Sequence, residues 1–279
     1  MGTSQSPIQS LIKRAASAYT AGPGIQDARN ACERLAREGI ASTVCYWDVY
    51  ADQPRFVSQS YIDLLGVISG LKSDCYLSVK APALKFDPNL LKKVLNEAGR
   101  INAIVHFDAM SPETADRTFA FIDEARPLYS KLGCTLPGRW NRSLMDADRA
   151  IKMGLRIRVV KGEWASTGED EVDPRCGFLN VIDRLAAGRA RHVAVATHNS
   201  EIAREALSRL RTTATPCELE LLYGLPQRPL IQIAREFAVP VRMYVPYGQA
   251  GLPYRLKDCA RSPRVIGWFL HDLVRGKKV

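Results

Sequence analysis

The chain has 279 residues, 46% hydrophobic and 24% charged, the composition of an ordinary globular protein with one large domain or two small ones. No apolar run approaches the roughly 18 residues that cross a bilayer, so a transmembrane helix is excluded. The formal charge of +10 suits an anionic ligand, an acidic partner or a lipid surface, while the scatter of the 39 Lys and Arg residues argues against nucleic acid.

In chain order, residues 8–40 predict one or two helices, broken at Gly22-Pro23-Gly24. Strand-like runs then fall at 42–48, 75–80, 103–108, 133–136, 155–160, 192–198, 217–223 and 241–247. They are dense in Val, Ile, Leu, Tyr and Cys, as expected for parallel strands buried on both faces. Helical spacing recurs between them, at 61–70, 88–98, 111–129, 145–153, 177–187, 200–210 and 229–237. Ser111-Pro112-Glu113 supplies an N-cap, a first-turn proline and an early acid, and Gly154 and Gly188 stand where helices stop.

Eight strand–helix units over about 240 residues predict an α/β fold of the (β/α)8 TIM-barrel type. An open doubly wound sheet is the rival, but no Gly-x-Gly-x-x-Gly follows the first strand. No linker divides the chain. We expect an N-terminal helical segment over 1–40 and the barrel over 41–279, as a single domain.

The seven cysteines are widely spaced and form no Cys-x-x-Cys pair, and no secretory leader is evident. Both features point to a reducing, cytoplasmic setting, with attachment to a membrane surface as the variant. The four histidines are scattered, so no metal centre is expected.

In such a barrel, function sits at the C-terminal ends of the strands. Asp48, Lys80, Asp108, Arg158, Lys161, Thr197, His198, Asn199, Tyr223, Tyr244 and Tyr247 collect there. Any one of them could be a strand end meeting solvent. Together they suit an anionic, planar ligand held by charge-assisted bonds and stacking. No pair of carboxylates has a clear acid/base logic, and no Gly-x-Ser-x-Gly elbow occurs. The chemistry is therefore expected from a cofactor.

Two segments, Arg158-Val159-Val160-Lys161-Gly162 and Ala196-Thr197-His198-Asn199, resemble the proline dehydrogenase family. Val79-Lys80, Phe107-Asp108, the run from Glu218 to Gly224, the run from Val241 to Gly248, and Tyr254 follow the family's order. The family's enzymes are FAD-dependent and are built on a distorted (β/α)8 barrel. The resemblance implies that Arg158 lies against the flavin near N5. It places Lys161, Gly162, Thr197, His198 and Asn199 on the pyrophosphate and ribityl chain, and Trp164 near flavin and substrate. Lys80 and Asp108 would line the substrate side with Arg158 as the catalytic set, and Tyr244 and Tyr254 would wall in the substrate ring.

Two departures stand out. The family's paired arginines, which clamp the proline carboxylate, are replaced by Lys257 and Asp258. Lysine lacks the planar fork, and aspartate repels a carboxylate. The resemblance implies a Gln-Ala-Tyr segment on the fourth strand, which is replaced here by Thr135-Leu136-Pro137-Gly138-Arg139-Trp140, so a flavin-side glutamine is missing and Arg139 and Arg255 are left as candidates to rebuild an anion site. We therefore expect an FAD-dependent dehydrogenase that takes a hydride from the carbon beside an amine nitrogen, on a substrate altered from free proline. The alternatives are an ordinary L-proline dehydrogenase and a non-catalytic flavin-binding barrel. The expected partners are a small amine, free or carried on an acidic protein, and a quinone or other electron acceptor.

Overall fold

The computed structural model describes residues 19–49, 51–71, 73–162 and 172–248. The strands are β1 (Ala41–Tyr46), β2 (Cys75–Val79), β3 (Val105–Phe107), β4 (Leu132–Pro137), β5 (Arg156–Val160), β6 (Val193–Ala196), β7 (Cys217–Leu222) and β8 (Val241–Tyr247). They pair in that order, all parallel, and β8 returns to β1 to close the barrel. Helix α1 (Ile25–Arg37) precedes β1. Helices α2 (Pro54–Ser69), α3 (Pro88–Arg100), α4 (Pro112–Ala125), α5 (Ser143–Lys152), α6 (Pro174–Ala187), α7 (Ser200–Thr212) and α8 (Arg228–Phe237) fall in turn between the strands. The expected (β/α)8 architecture is present, and each strand lies where its run was read.

Local chemistry sets the helix starts. Asp87, Asp173 and Asn199 accept backbone N–H groups at the N-termini of α3, α6 and α7, and prolines open α3 and α6. Helix α2 begins at Pro54, earlier than the apolar spacing suggested, because a first-turn proline is preorganised for helix. Helix α4 stops at Ala125 rather than at 129, since Pro127 cannot continue the hydrogen-bond ladder. Helix α1 buries Ala28, Ala31, Cys32 and Leu35 on one face, which packs against both β1 and β8.

The strands are buried on both sides, as expected, but only the outer side is apolar. Val44, Leu77, Val105, Phe107, Val159, Leu219 and Val245 meet the helices. The alternate residues fill the barrel with polar groups. The register sets Thr43 beside Tyr76 and Tyr244, Ser78 beside His106, and Thr135 beside Arg158. On β6, Ala194 and Ala196 stand between the arginines of β5 and the glutamates of β7. Their small side chains let the charges meet across that strand. On β4, a Cβ at Gly133 would lie 2.4 Å from His106 Nδ1, so glycine makes room for that ring.

Buried charge is tolerable only when paired. Near the strand N-termini, fully buried Arg242 donates to Glu218 Oε1 at 3.0 Å, to the Ser42 carbonyl at 2.7 Å and to the Asp74 carboxylate. Its guanidinium lies 4.1 Å from the Tyr76 ring centroid. Arg156 donates to the same Glu218 oxygen at 3.1 Å and faces His192 Nε2 at 3.3 Å. Burial, reinforced by these arginines, pushes the His192 pKa down to about 3. Burial and the neighbouring arginines also hold His106 well below the usual histidine range. Both rings are neutral in the folded protein at pH 7.

Candidate active site

At the opposite, C-terminal rim, seven strands deliver one hydrogen-bonded cluster. Arg158 on β5 donates from Nε to Glu220 Oε2 at 2.8 Å and from Nη2 to Glu220 Oε1 at 2.9 Å, a bidentate pair reaching β7. Its Nη1 donates to Asp108 Oδ1 at 2.6 Å and to Thr135 Oγ1 at 3.4 Å. The two side chains of the bidentate pair are only 4% and 2% exposed, so water screens them little. Burial opposes the arginine's charge, but Glu220 and Asp108 outweigh it and raise the Arg158 pKa well above its ordinary value.

Asp108, just past β3, is the hub. Its Oδ1 also accepts from Ser78 Oγ at 2.7 Å, and its Oδ2 accepts from the Tyr244 hydroxyl at 2.7 Å and from Cys45 Sγ at 3.8 Å. Burial first, and then the Asp108 charge, push the Tyr244 pKa well above the tyrosine range, so its hydroxyl remains a donor. Burial likewise pushes the Cys45 thiol up to about 12. The Tyr244 ring lies under the Arg158 guanidinium, 4.9 Å from centroid to Cζ. A cavity of about 20 Å³, room for one water, adjoins Asp108 between Phe107, Thr114, Cys134 and Trp140.

Lys80, just past β2, donates from Nζ to Asp48 Oδ1 at 2.7 Å and to the Tyr46 carbonyl at 3.4 Å. Its backbone N–H donates to the buried Tyr61 hydroxyl at 3.0 Å, which fixes the strand end. Burial works against the ammonium, but Cys45, Asp48 and Asp108 outweigh it and raise the Lys80 pKa.

The β5 and β6 ends form the neighbouring wall. Gly162 adopts φ +96°, and a Cβ there would lie 2.8 Å from Pro137 Cβ and 2.9 Å from Arg139 Cγ. Glycine thus lets the backbone after Lys161 run close to β4. Arg139 in turn donates to the Gly162 carbonyl at 3.4 Å. Thr197 Oγ1 accepts from the Asn199 N–H at 3.1 Å, and Asn199 caps α7. His198 accepts the Leu222 N–H on Nε2 at 2.8 Å, which leaves its proton on Nδ1, 3.3 Å from the Pro226 carbonyl. The Asn199 and His198 side chains therefore brace their own loop. A cation, a hydroxyl and a glycine cradle on adjacent strands form a donor set suited to a pyrophosphate.

The structure brings together Asp108, Arg158 and Tyr244, with Lys80 beside them and Lys161, Gly162, Thr197, His198 and Asn199 on the adjoining strands. Trp164, Tyr254, Arg255, Lys257 and Asp258 lie outside the described residues. Sequence reasoning gave no role to Glu220, Ser78 or Cys45. The alternation Glu218-Leu219-Glu220-Leu221, complementary to Arg156-Ile157-Arg158-Val159, was the available signal.

A closed parallel barrel with buried arginine–carboxylate pairs at its C-terminal rim defines the class as a (β/α)8 protein with a charged, ligand-ready mouth. Within that class, the chain is similar to Proline dehydrogenase 1 of Bacillus subtilis subsp. natto, 23% identical over 273 residues, spanning 92% of this chain and 90% of that one. It is likewise 27% identical over 283 residues to Proline dehydrogenase of Deinococcus radiodurans, spanning 92% and 89%. No family model matches. Among solved structures, proline utilization A from Bdellovibrio bacteriovorus superposes with a TM-score of 0.75 at 15% identity, over 86% of this chain. A variant of proline utilization A from Bradyrhizobium japonicum superposes at 0.67 and 16% identity, over 89%. This chain spans 32% of the length of those two structures, and at such identities they speak for the fold. The motif resemblance to proline dehydrogenases is thus a resemblance of nearly the whole described chain. Among the described residues, no helix is long and apolar enough to cross a membrane.

Proposed function

We propose that this protein is an FAD-dependent dehydrogenase that oxidises the CH–NH bond of proline or a close analogue to an imine. The observation that carries this reading is the cluster of Asp108, Arg158 and Tyr244, with Lys80 beside it, at one rim of a barrel similar over 92% of the chain to a proline dehydrogenase. Bound FAD supplies the two-electron acceptor that no side chain provides. Lys161, the backbone at Gly162 and Thr197 hold the pyrophosphate. Arg158 has four of its five N–H groups spent inside the barrel, which holds its guanidinium at a fixed point with one N–H left to offer. Asp108 commits its oxygens to Ser78, Arg158, Tyr244 and Cys45, so it positions its neighbours rather than taking the amine proton. Tyr244, aimed by Asp108, walls the substrate ring.

Free L-proline is the first substrate to test, since the curated relatives are named for it. A second reading, an amine that lacks a free carboxylate, draws support from the balance of charge. Lys80 and Arg158 face Asp48, Asp108 and Glu220, so both cations are already paired and this five-residue cluster, taken apart from Lys161 and Arg139 on the neighbouring wall, carries one excess negative charge. Such a cluster favours a cation over a zwitterion. Lys257 and Asp258 in place of the arginine pair point the same way. The experiment is an absorption spectrum after FAD reconstitution, then anaerobic bleaching by L-proline, L-prolinamide and pyrrolidine. Protein that takes up no flavin refutes the proposal. Bleaching by L-proline alone selects the first reading, and faster bleaching by the carboxylate-free amines selects the second.

A further inference from the structure

We infer that Glu220 is a positioning residue that offsets the charge of Arg158 and so holds down the electron affinity of the flavin site; the inference rests on the flavoenzyme reading above. Arg158 alone would present a desolvated positive charge to a ligand at the rim. Instead, Glu220 engages Nε and Nη2 with both oxygens, at 2.8 and 2.9 Å. Asp108 adds a second carboxylate on Nη1 at 2.6 Å. One guanidinium thus answers to two carboxylates, and the trio carries one net negative charge.

The two carboxylates differ in what else they do. Asp108 shares its charge with Ser78 and Tyr244, whereas the hydrogen bonds of Glu220 both go to Arg158. The Ala194 and Ala196 side chains leave the gap across β6 through which β5 and β7 meet. Glu220 therefore fixes the guanidinium plane and cancels its field at once. Reduction adds negative charge to the flavin, and a cancelled arginine attracts that charge less than a bare one.

Charge and geometry separate by substitution. Glu220→Gln keeps the size and a hydrogen bond but removes the charge, and Glu220→Asp keeps the charge but loses the bidentate reach. Sulfite adds as a nucleophile to the oxidised flavin ring, giving an anionic adduct without the yellow absorbance. Its affinity therefore reads the positive potential at the ring independently of turnover. The test titrates sulfite into the wild-type, Glu220→Gln and Glu220→Asp holoproteins, with the flavin midpoint potential measured beside it.

We expect Glu220→Gln to bind sulfite roughly 10-fold more tightly or better, the factor for one unit charge about a nanometre away at an effective dielectric constant of about 20. Its midpoint potential should rise, and Glu220→Asp should stay near wild type in both. Unchanged sulfite affinity in flavin-loaded Glu220→Gln overturns the inference and leaves the flavoenzyme reading standing. An Asp variant that behaves like the Gln variant overturns it too, because geometry rather than charge would then govern. If Glu220→Gln does not fold, the wild type decides: millimolar or weaker sulfite binding supports a cancelled arginine, and micromolar binding refutes one. Protein that takes up no flavin at all overturns both readings.

Discussion

Replacing Arg158 with Met tests whether the rim is held together by its buried ion pairs. The substitution preserves much of the apolar stem but strands the Glu220 carboxylate, 2% exposed, and removes one partner of Asp108, 13% exposed. Breaking a buried pair from one side costs about 3–5 kcal/mol, because the remaining charge has lost its solvation and gained nothing. In a domain of this size each kcal/mol moves Tm by about 2–4 °C, so Arg158→Met should melt roughly 6–20 °C below wild type. Removing both partners, in Arg158→Met with Glu220→Met, eliminates the stranded charge and should recover much of that loss. The assay is thermal and urea unfolding at pH 7 without added FAD, so that ligand linkage does not enter. A single variant melting within about 2 °C of wild type, or a double variant less stable than the single one, would refute the reasoning.

Lys161→Ala with Thr197→Ala should be purified with less FAD than wild type and regain most of its rate in excess FAD; full flavin content on purification would remove both residues from the pyrophosphate site. Tyr244→Phe removes the 2.7 Å bond to Asp108 and should cost about 1.5–3 kcal/mol in urea unfolding while raising KM for the amine substrate. Lys257→Arg combined with Asp258→Arg should raise kcat/KM for L-proline by about 10-fold or more, the effect of one or two charge-assisted bonds. His192, held to about 3 by burial, binds fewer protons when folded than when unfolded. Its contribution is therefore intact above about pH 6.5 and is lost by about 1.4 kcal/mol per pH unit as pH falls toward 3, so His192→Asn should flatten the slope of stability against pH between 6.5 and 4.5.

The barrel was legible because its strands announce themselves on their outer faces. Val44, Leu77, Val105, Val159 and Leu219 are the β-rich residues that mark a strand, and they pack outward on the helices. The inner face was not legible. An Arg or Glu that alternates with Ile or Leu reads equally well as the wet side of an edge strand. Only barrel closure turns Arg156, Arg158, Glu218, Glu220 and Arg242 inward. Lys80, Asp108, Arg158 and Tyr244 were found because each ends a strand, where chemistry concentrates. Glu220 escaped because its partner is 62 residues away, a pairing that β5 and β7 make only through the two alanines of β6. Helix ends erred where a proline spoke for itself, at Pro54 and before Pro127.

The position of α1 has a consequence for biosynthesis. Its buried face rests half on β1, which directly follows it, and half on β8. The seam those strands form is tied by a bond from Arg242 to the carbonyl of Ser42, 200 residues earlier. At translation rates of about 5–20 residues per second, Ala28, Ala31, Cys32 and Leu35 wait roughly 10–40 s for the strand that completes their berth. A nascent chain of this protein therefore carries an amphipathic helix with an open apolar face through nearly the whole of barrel synthesis. Closure of the seam, a contact made across 200 residues, is the event that removes that face from the reach of chaperones and neighbouring chains.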